Sequence, residues 1–142
     1  MAQKIKLGAR PKSFTRLVAF PMIEGGEDGC IEVQFKYRTR KELAKLTDEV
    51  QGARQALHDA DIEAIKAKAD KNEPIDVFKQ SDMIDRDISL TVDYLMQVMD
   101  GWNLDEKFDR RALEQLADEV PAALRAIVDT YRTAINEGRL GN

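Results

Sequence analysis

The sequence predicts an α+β fold, mostly α: an N-terminal β-hairpin followed by about four helices, one of them long and partly exposed. Three observations support this. Apolar residues alternate with a period of two as far as Arg38, the period changes to that of a helix at Thr39, and Gly, Pro and Asn then interrupt the helical pattern at intervals.

Residues 1–12, MAQKIKLGARPK, keep no sustained period and contain Gly8 and Pro11, which reads as a flexible N-terminal tail. The run SFTRLVAF, beginning at Ser13, sets Phe14, Val18 and Phe20 on one side of a pleat. In CIEVQFKYR, Ile31, Val33, Phe35 and Tyr37 alternate with polar residues, the pattern of a strand with one dry face. PMIEGGEDG between them is turn chemistry, so residues 13–38 form a β-hairpin with a long acidic tip. Residues 39–138 then make the helical part of a single domain over 13–142.

Thr39 and Glu42 fit a capping box, in which the Thr hydroxyl accepts from a first-turn N–H while the Glu carboxylate reaches back. Behind them Leu43, Leu46, Val50, Ala53, Leu57, Ala60, Ala64 and Ala67 step by three and four, the spacing of a narrow helix–helix seam. Gly52 inside it costs about 1 kcal/mol relative to Ala. The stretch DKNEP, Asp70 to Pro74, ends the helix. Ser81 is the expected N-cap of the next, whose broad band of Ile84, Ile88, Val92, Leu95 and Met99 makes it central, with Gly101 closing it. A short helix capped by Asp109 carries Leu113, Leu116 and Val120. Pro121 opens the last, striped by Leu124, Ile127, Val128, Tyr131 and Ile135 and stopped by Gly138.

A chain of 142 residues that is 43% hydrophobic can build a core without a metal or disulfide staple. The 22 Lys and Arg against 26 Asp and Glu give a net charge of -4 with the signs interspersed, which argues against a nucleic-acid surface. The locally basic start, with Lys4, Lys6, Arg10 and Lys12, reads as a solvated tail. Cys30 is alone, no apolar run approaches the about 20 residues of a membrane span, and the N-terminus lacks a signal-peptide core. The expectation is an intracellular, cytoplasmic protein with no membrane contact. One His and one Cys do not make the usual zinc site, so neither metal nor cofactor is expected.

No catalytic set stands out, and the chain reads as non-enzymatic. GGEDG lacks the Lys and Ser/Thr of a phosphate-cradling loop and the twelve-residue spacing of a calcium loop. His58 has Asp59 and Asp61 beside it on one helical turn, an arrangement without a nucleophile, so a small enzyme centred on His58 and Asp61 is the weaker reading. Asp82, Asp85, Asp87 and Asp93 sit around a helix start, where the dipole favours carboxylates. Cys30 reads as a small packed residue. A seam helix of about 28 residues is about 42 Å long, more than a domain this small covers easily. Protein contacts are therefore expected at Leu43, Leu46, Val50 and Leu57, and at Trp102, which either anchors an interface or plugs the junction between the central and short helices.

The C-terminal stretch GWNLDEKFDRRALEQLADEVPAALRAIVDTYRTAINEGRLGN resembles that of tail assembly chaperones of long-tailed bacteriophages and prophages. The likeness lies in Gly101 and Trp102, the aromatic Phe108, Leu113 and Leu116 of a small helix, Pro121 and Tyr131 of the last, and the ending Gly141-Asn142. IEVQFKYRTRKELAKL is similar to the family's passage from strand to helix, so the likeness spans roughly residues 13–142, with the stretch Gly52–Gln80 left unaligned within it. The resemblance implies a non-catalytic role in the bacterial host cytoplasm: keeping the tape measure protein soluble and helping to recruit tail tube protein. Self-association into a homo-oligomer is expected from the residues themselves, through the projecting seam or the edge of the hairpin. The alternative is a structural tail or head-completion protein retained in the virion.

Overall fold

The computed structural model describes residues 2–75 and 79–138. Gly141 and Asn142, which contribute to the resemblance, lie outside them. Two strands, β1 (Ser13–Phe20) and β2 (Gly29–Lys36), form the predicted hairpin in a register that pairs Ser13 with Lys36 and Phe20 with Gly29. Period-two patterning fixes this register, because a slip of one residue would turn every apolar side chain to water. Val18 and Phe20 of β1 and Ile31, Val33 and Phe35 of β2 are buried, while Thr15, Leu17, Ala19, Glu32 and Gln34 face solvent. Cys30 is exposed too, contrary to the expectation of a packed residue, because it falls on the outer face of the alternation.

Helix α1 (Arg40–Asp70) starts from the predicted capping box: the Glu42 amide donates to Thr39 Oγ1 at 3.2 Å and the Thr39 amide donates to Glu42 Oε1 at 2.9 Å. Those hydrogen bonds to Thr39, with Arg10 at the same carboxylate, hold Glu42 below the usual carboxylate range. Helix α2 (Gln80–Val98) begins one residue before Ser81, with Lys79 at the N-cap position and no side-chain cap, because at Ser81 the backbone is already helical. It also ends earlier than expected. Met99–Trp102 is a third strand, β3, antiparallel to β2, with Phe35 opposite Met99 and Val33 opposite Trp102. Met99 continues the apolar spacing of α2, so helical periodicity alone carries the helix too far. The C-cap position of α2 is already extended, and its buried side chain joins the sheet's inner face.

The short α3 (Arg110–Glu119) is capped by Asp109, whose Oδ1 accepts from the Ala112 amide at 2.8 Å. Helix α4 (Pro121–Glu137) has Pro121 in its first turn and stops at Gly138 in the left-handed region, φ 67°. The sheet order is β1-β2-β3, and α4 packs against β1 while α2 crosses the inner face near β2 and β3. Between sheet and helices lies a continuous core that includes Val92, Leu95, Leu113, Ile127 and Tyr131. Each fully buried Leu, Ile or Val there contributes about 1.5–3 kcal/mol. Tyr131 stacks among Phe14 and Phe35 and donates its hydroxyl to the Lys36 carbonyl at 2.8 Å, tying α4 to the end of β2.

Candidate functional site

Helices α1 and α2 run side by side as an arm whose base is built into the core and whose far part is not. Leu43 and Leu46 are buried and Val50 is half-buried, whereas from Gln51 to Asp70 every α1 residue is exposed except Asp61, Ile65 and Lys68. The first residues of the expected contact seam thus anchor the arm, and its surface begins further out, with Leu57 at 38% exposure.

Beyond Leu57 the half-buried line leaves the predicted seam. Ala60, Ala64 and Ala67 are exposed, and Asp61, Ile65 and Lys68 take the sheltered positions instead. The cause is geometric: a straight helix at 3.6 residues per turn drifts by about 20° per heptad from a strict 3.5 repeat, so the facing residue moves on by one after a few turns. Stepping at 3.6 from Leu43 arrives at Asp61 and Ile65, both absent from the sequence-derived seam, while Ile62, one position past Asp61, stays exposed.

The two helices enclose a groove of 360 Å3 lined by Leu57, Ile62, Ile65, Met83 and Leu90 with a charged margin of Arg54, Asp61, Arg86 and Asp87. Ile62 is 37% exposed, Met83 58% and Ile84 48%. Arg54 donates to Asp87 at 3.1 Å, and Arg86 donates twice to Asp61, at 2.5 and 3.1 Å. Exposed pairs of this kind add little to stability, but they orient α2 on α1. The hydrogen bond from Arg86 holds the Asp61 carboxyl below the usual carboxylate range. Asp61 is therefore a charged group already occupied by Arg86.

A second cleft, of 430 Å3, opens between α1, α2 and α4, with Val50, Ile88, Tyr94, Leu124 and Val128 among its lining and Arg125 and Arg132 at its margin. Burial pushes the Tyr94 hydroxyl up. Trp102 is apart from both. Its ring meets Phe108 edge-on with centroids 5.1 Å apart and its Nε1 donates to the Glu106 carbonyl at 2.8 Å. It is half-buried beside a small hollow of 140 Å3 that shares no residue with the arm groove. The structure brings Leu57 together with Ile62, Ile65 and Met83, then, but not with Trp102.

Among the described residues no group of three or more His, Cys, Asp or Glu is placed to hold a metal ion, and no helix is long and apolar enough to cross a membrane. What the arm offers is a row of partly exposed aliphatic side chains on two neighbouring helices, a surface on which another chain can bury apolar area. No curated protein and no solved structure matches the chain. A family model described as phage tail assembly chaperone matches residues 1–142, and the chain therefore belongs to the phage tail assembly chaperone family.

Proposed function

We propose that this chaperone acts without catalysis, in the cytoplasm of the bacterial host, by binding the tape measure protein along the α1–α2 arm and helping to recruit tail tube subunits around it, while associating with further copies of itself. The observation that carries the reading is the exposed aliphatic row Leu57, Ile62, Met83 and Ile84 on the part of the arm that the core leaves uncovered. An amphipathic helix laid into the groove between α1 and α2 would bury Leu57, Ile62 and Met83 of that row, with Ile84 outside the groove, the usual mode for helix recognition by an apolar furrow. Met83, unbranched and polarizable, suits a surface that must accept varied client sequences. Leu43 and Leu46 serve the same contact indirectly by fixing the arm's base, Val50 marks where it leaves the core, and Trp102 belongs to a separate candidate contact for a second partner.

The test is co-purification of the tape measure protein with the wild-type chain and with Leu57→Asp/Met83→Asp. The double variant, altered only at exposed positions, is expected to keep the helical signal and lose at least tenfold in client affinity. Retention of full affinity removes the arm from the proposal. Mass spectrometry of purified virions is the companion measurement: the protein is expected to be missing from the particle, and finding it there in stoichiometric amount would assign it to the virion structure instead.

A further inference from the structure

The charges of the hairpin are segregated. Residues 2–16 carry five Lys or Arg and no Asp or Glu, and residues 17–35 carry four Asp or Glu and no Lys or Arg. The apolar exposure follows the same division. Ile5 and Leu7, exposed at 81% and 91%, alternate with Lys4 and Lys6; Ile23, fully exposed, and Met22, at 37%, adjoin Glu24, Glu27 and Asp28 at the tip, with Leu17 at 62% on the sheet's uncovered face. One end of the hairpin thus offers bare aliphatic side chains flanked by ammonium groups, and the other offers bare aliphatic side chains flanked by carboxylates.

The two ends of one copy do not reach each other. Lys12 is fixed in the ladder, its carbonyl accepting from the Tyr37 amide at 2.9 Å, and Arg10 is held on Glu42 at 2.8 Å. Ile5, the further of the two aliphatic side chains, is seven residues from Lys12, about 25 Å at full extension, and the turn in which the Ala9 amide donates to the Lys6 carbonyl at 3.2 Å draws that in to about 21 Å. Phe20, where the tip begins, is eight residues along the strand, about 27 Å away. Neither Ile5 nor Leu7 covers Met22 and Ile23 of its own chain while that anchorage and that turn hold.

We propose that the N-terminal segment around Lys4–Leu7 docks on the hairpin tip of a second copy, its lysines meeting Glu24, Glu27 and Asp28 and its aliphatic side chains covering Met22 and Ile23. The contact joins unlike surfaces, so each copy keeps a free segment at one end and a free tip at the other, and the association is head-to-tail, closing into a ring or running on as a filament. It is small and charged, hence weak and screened by salt within a Debye length of about 10 Å at 0.1 M. The inference rests on the self-association part of the proposed function and is independent of the client groove.

Sedimentation velocity of the full chain at low ionic strength tests it, beside a chain lacking residues 2–8 and the triple variant Glu24→Lys/Glu27→Lys/Asp28→Lys. Species larger than the monomer are expected for the wild type, to be lost at raised salt and in both altered chains with the helical signal retained. A labelled peptide of residues 2–9 is expected to bind the truncated chain, and at least tenfold more weakly to a truncated chain that also carries the triple substitution. Mixing the triple variant with Lys4→Glu/Lys6→Glu, each monomeric alone, should restore association, since reversed tip then meets reversed segment; this excludes misfolding as the cause of the losses. Assemblies that survive in both altered chains overturn the inference while leaving self-association through another surface. A monomer under every condition overturns both, and amide protection of residues 4–7 in that monomer would mean docking within one chain.

Discussion

Replacing Tyr131 by Phe removes a single oxygen from the centre of the fold. That oxygen donates to the Lys36 carbonyl at 2.8 Å, while the ring, fully buried, packs against Phe14 and Phe35 with centroids 5.9 and 5.0 Å away. The ring contacts survive in Phe, so the change isolates one neutral hydrogen bond, worth about 1 kcal/mol and up to about 2 if the abandoned carbonyl stays dry. Lys36 is only half-buried, so water can replace the phenol and the lower figure applies. For a chain of 142 residues this corresponds to a fall in Tm of about 3–4 °C, or a lower urea midpoint with an unchanged slope. The pH dependence gives a second check. Burial pushes the Tyr131 hydroxyl up from its ordinary value of 10.0, so above pH 10 the unfolded chain loses a proton that the folded chain keeps. Stability conferred by this group is complete below pH 10 and declines as pH rises, by at most about 1.4 kcal/mol per pH unit. The Phe variant lacks that decline, while the similar but smaller effect of Tyr94 persists in both proteins. The two stability curves should converge above pH 10. A gap that stays constant or widens there, or an altered urea slope, would refute the account of Tyr131 as a protonated donor joining α4 to β2.

Thr39→Ala breaks the capping box and should cost about 1 kcal/mol, with faster hydrogen exchange confined to the first turn of α1. At Gly29 an added Cβ would lie 2.6 Å from Met22 Sδ and 2.7 Å from Phe20 Cε2. Gly29→Ala should therefore displace the buried Phe20 ring and cost about 1–3 kcal/mol by thermal denaturation. The Asp61 carboxyl, followed by NMR, should titrate below its ordinary 3.8, and Arg86→Gln should bring it back up. Because its folded value is the lower one, the stabilisation from this pair is complete above pH 3.8 and disappears as pH falls through the Asp61 midpoint.

Elements with local chemistry were legible in the sequence. The alternation of Ile31, Val33 and Phe35, the Thr39–Glu42 pair, the Asp109 cap, Pro121 and Gly138 each specify their structure within a few residues, and each stands where the pattern puts it. What escaped depends on distant partners. Met99 looks helical by spacing, yet the residues from Met99 to Trp102 are extended because β2 presents an unpaired edge to them. Sequence order also hides that Arg38 donates twice to the Gln97 carbonyl, at 3.0 and 2.7 Å, a contact across 59 positions. At the arm, Leu57 was readable, but Ile65 was missed by a strict heptad that a straight helix does not follow, and Ile62 and Met83 join the groove only through the pairing of α1 with α2. The overall charge balance likewise concealed the division of signs between the two ends of the hairpin, which becomes meaningful only once the strand register shows how far apart those ends lie.

The passage from α2 into β3 has no intervening loop: Val98 is the last helical residue and Met99 the first of the strand. Together with Arg38 clamping the start of α1 to the end of α2, this leaves the arm without a hinge at its base. A cargo tugging on the outer turns of α2, up to about 28 Å away along a 19-residue helix, acts as on a crowbar whose short end is a β-strand. If a client binds the arm as proposed, force applied there passes first to the ladder between β2 and β3, in which Trp102 stands opposite Val33, and loading is expected to register at that sheet margin before it disturbs α4.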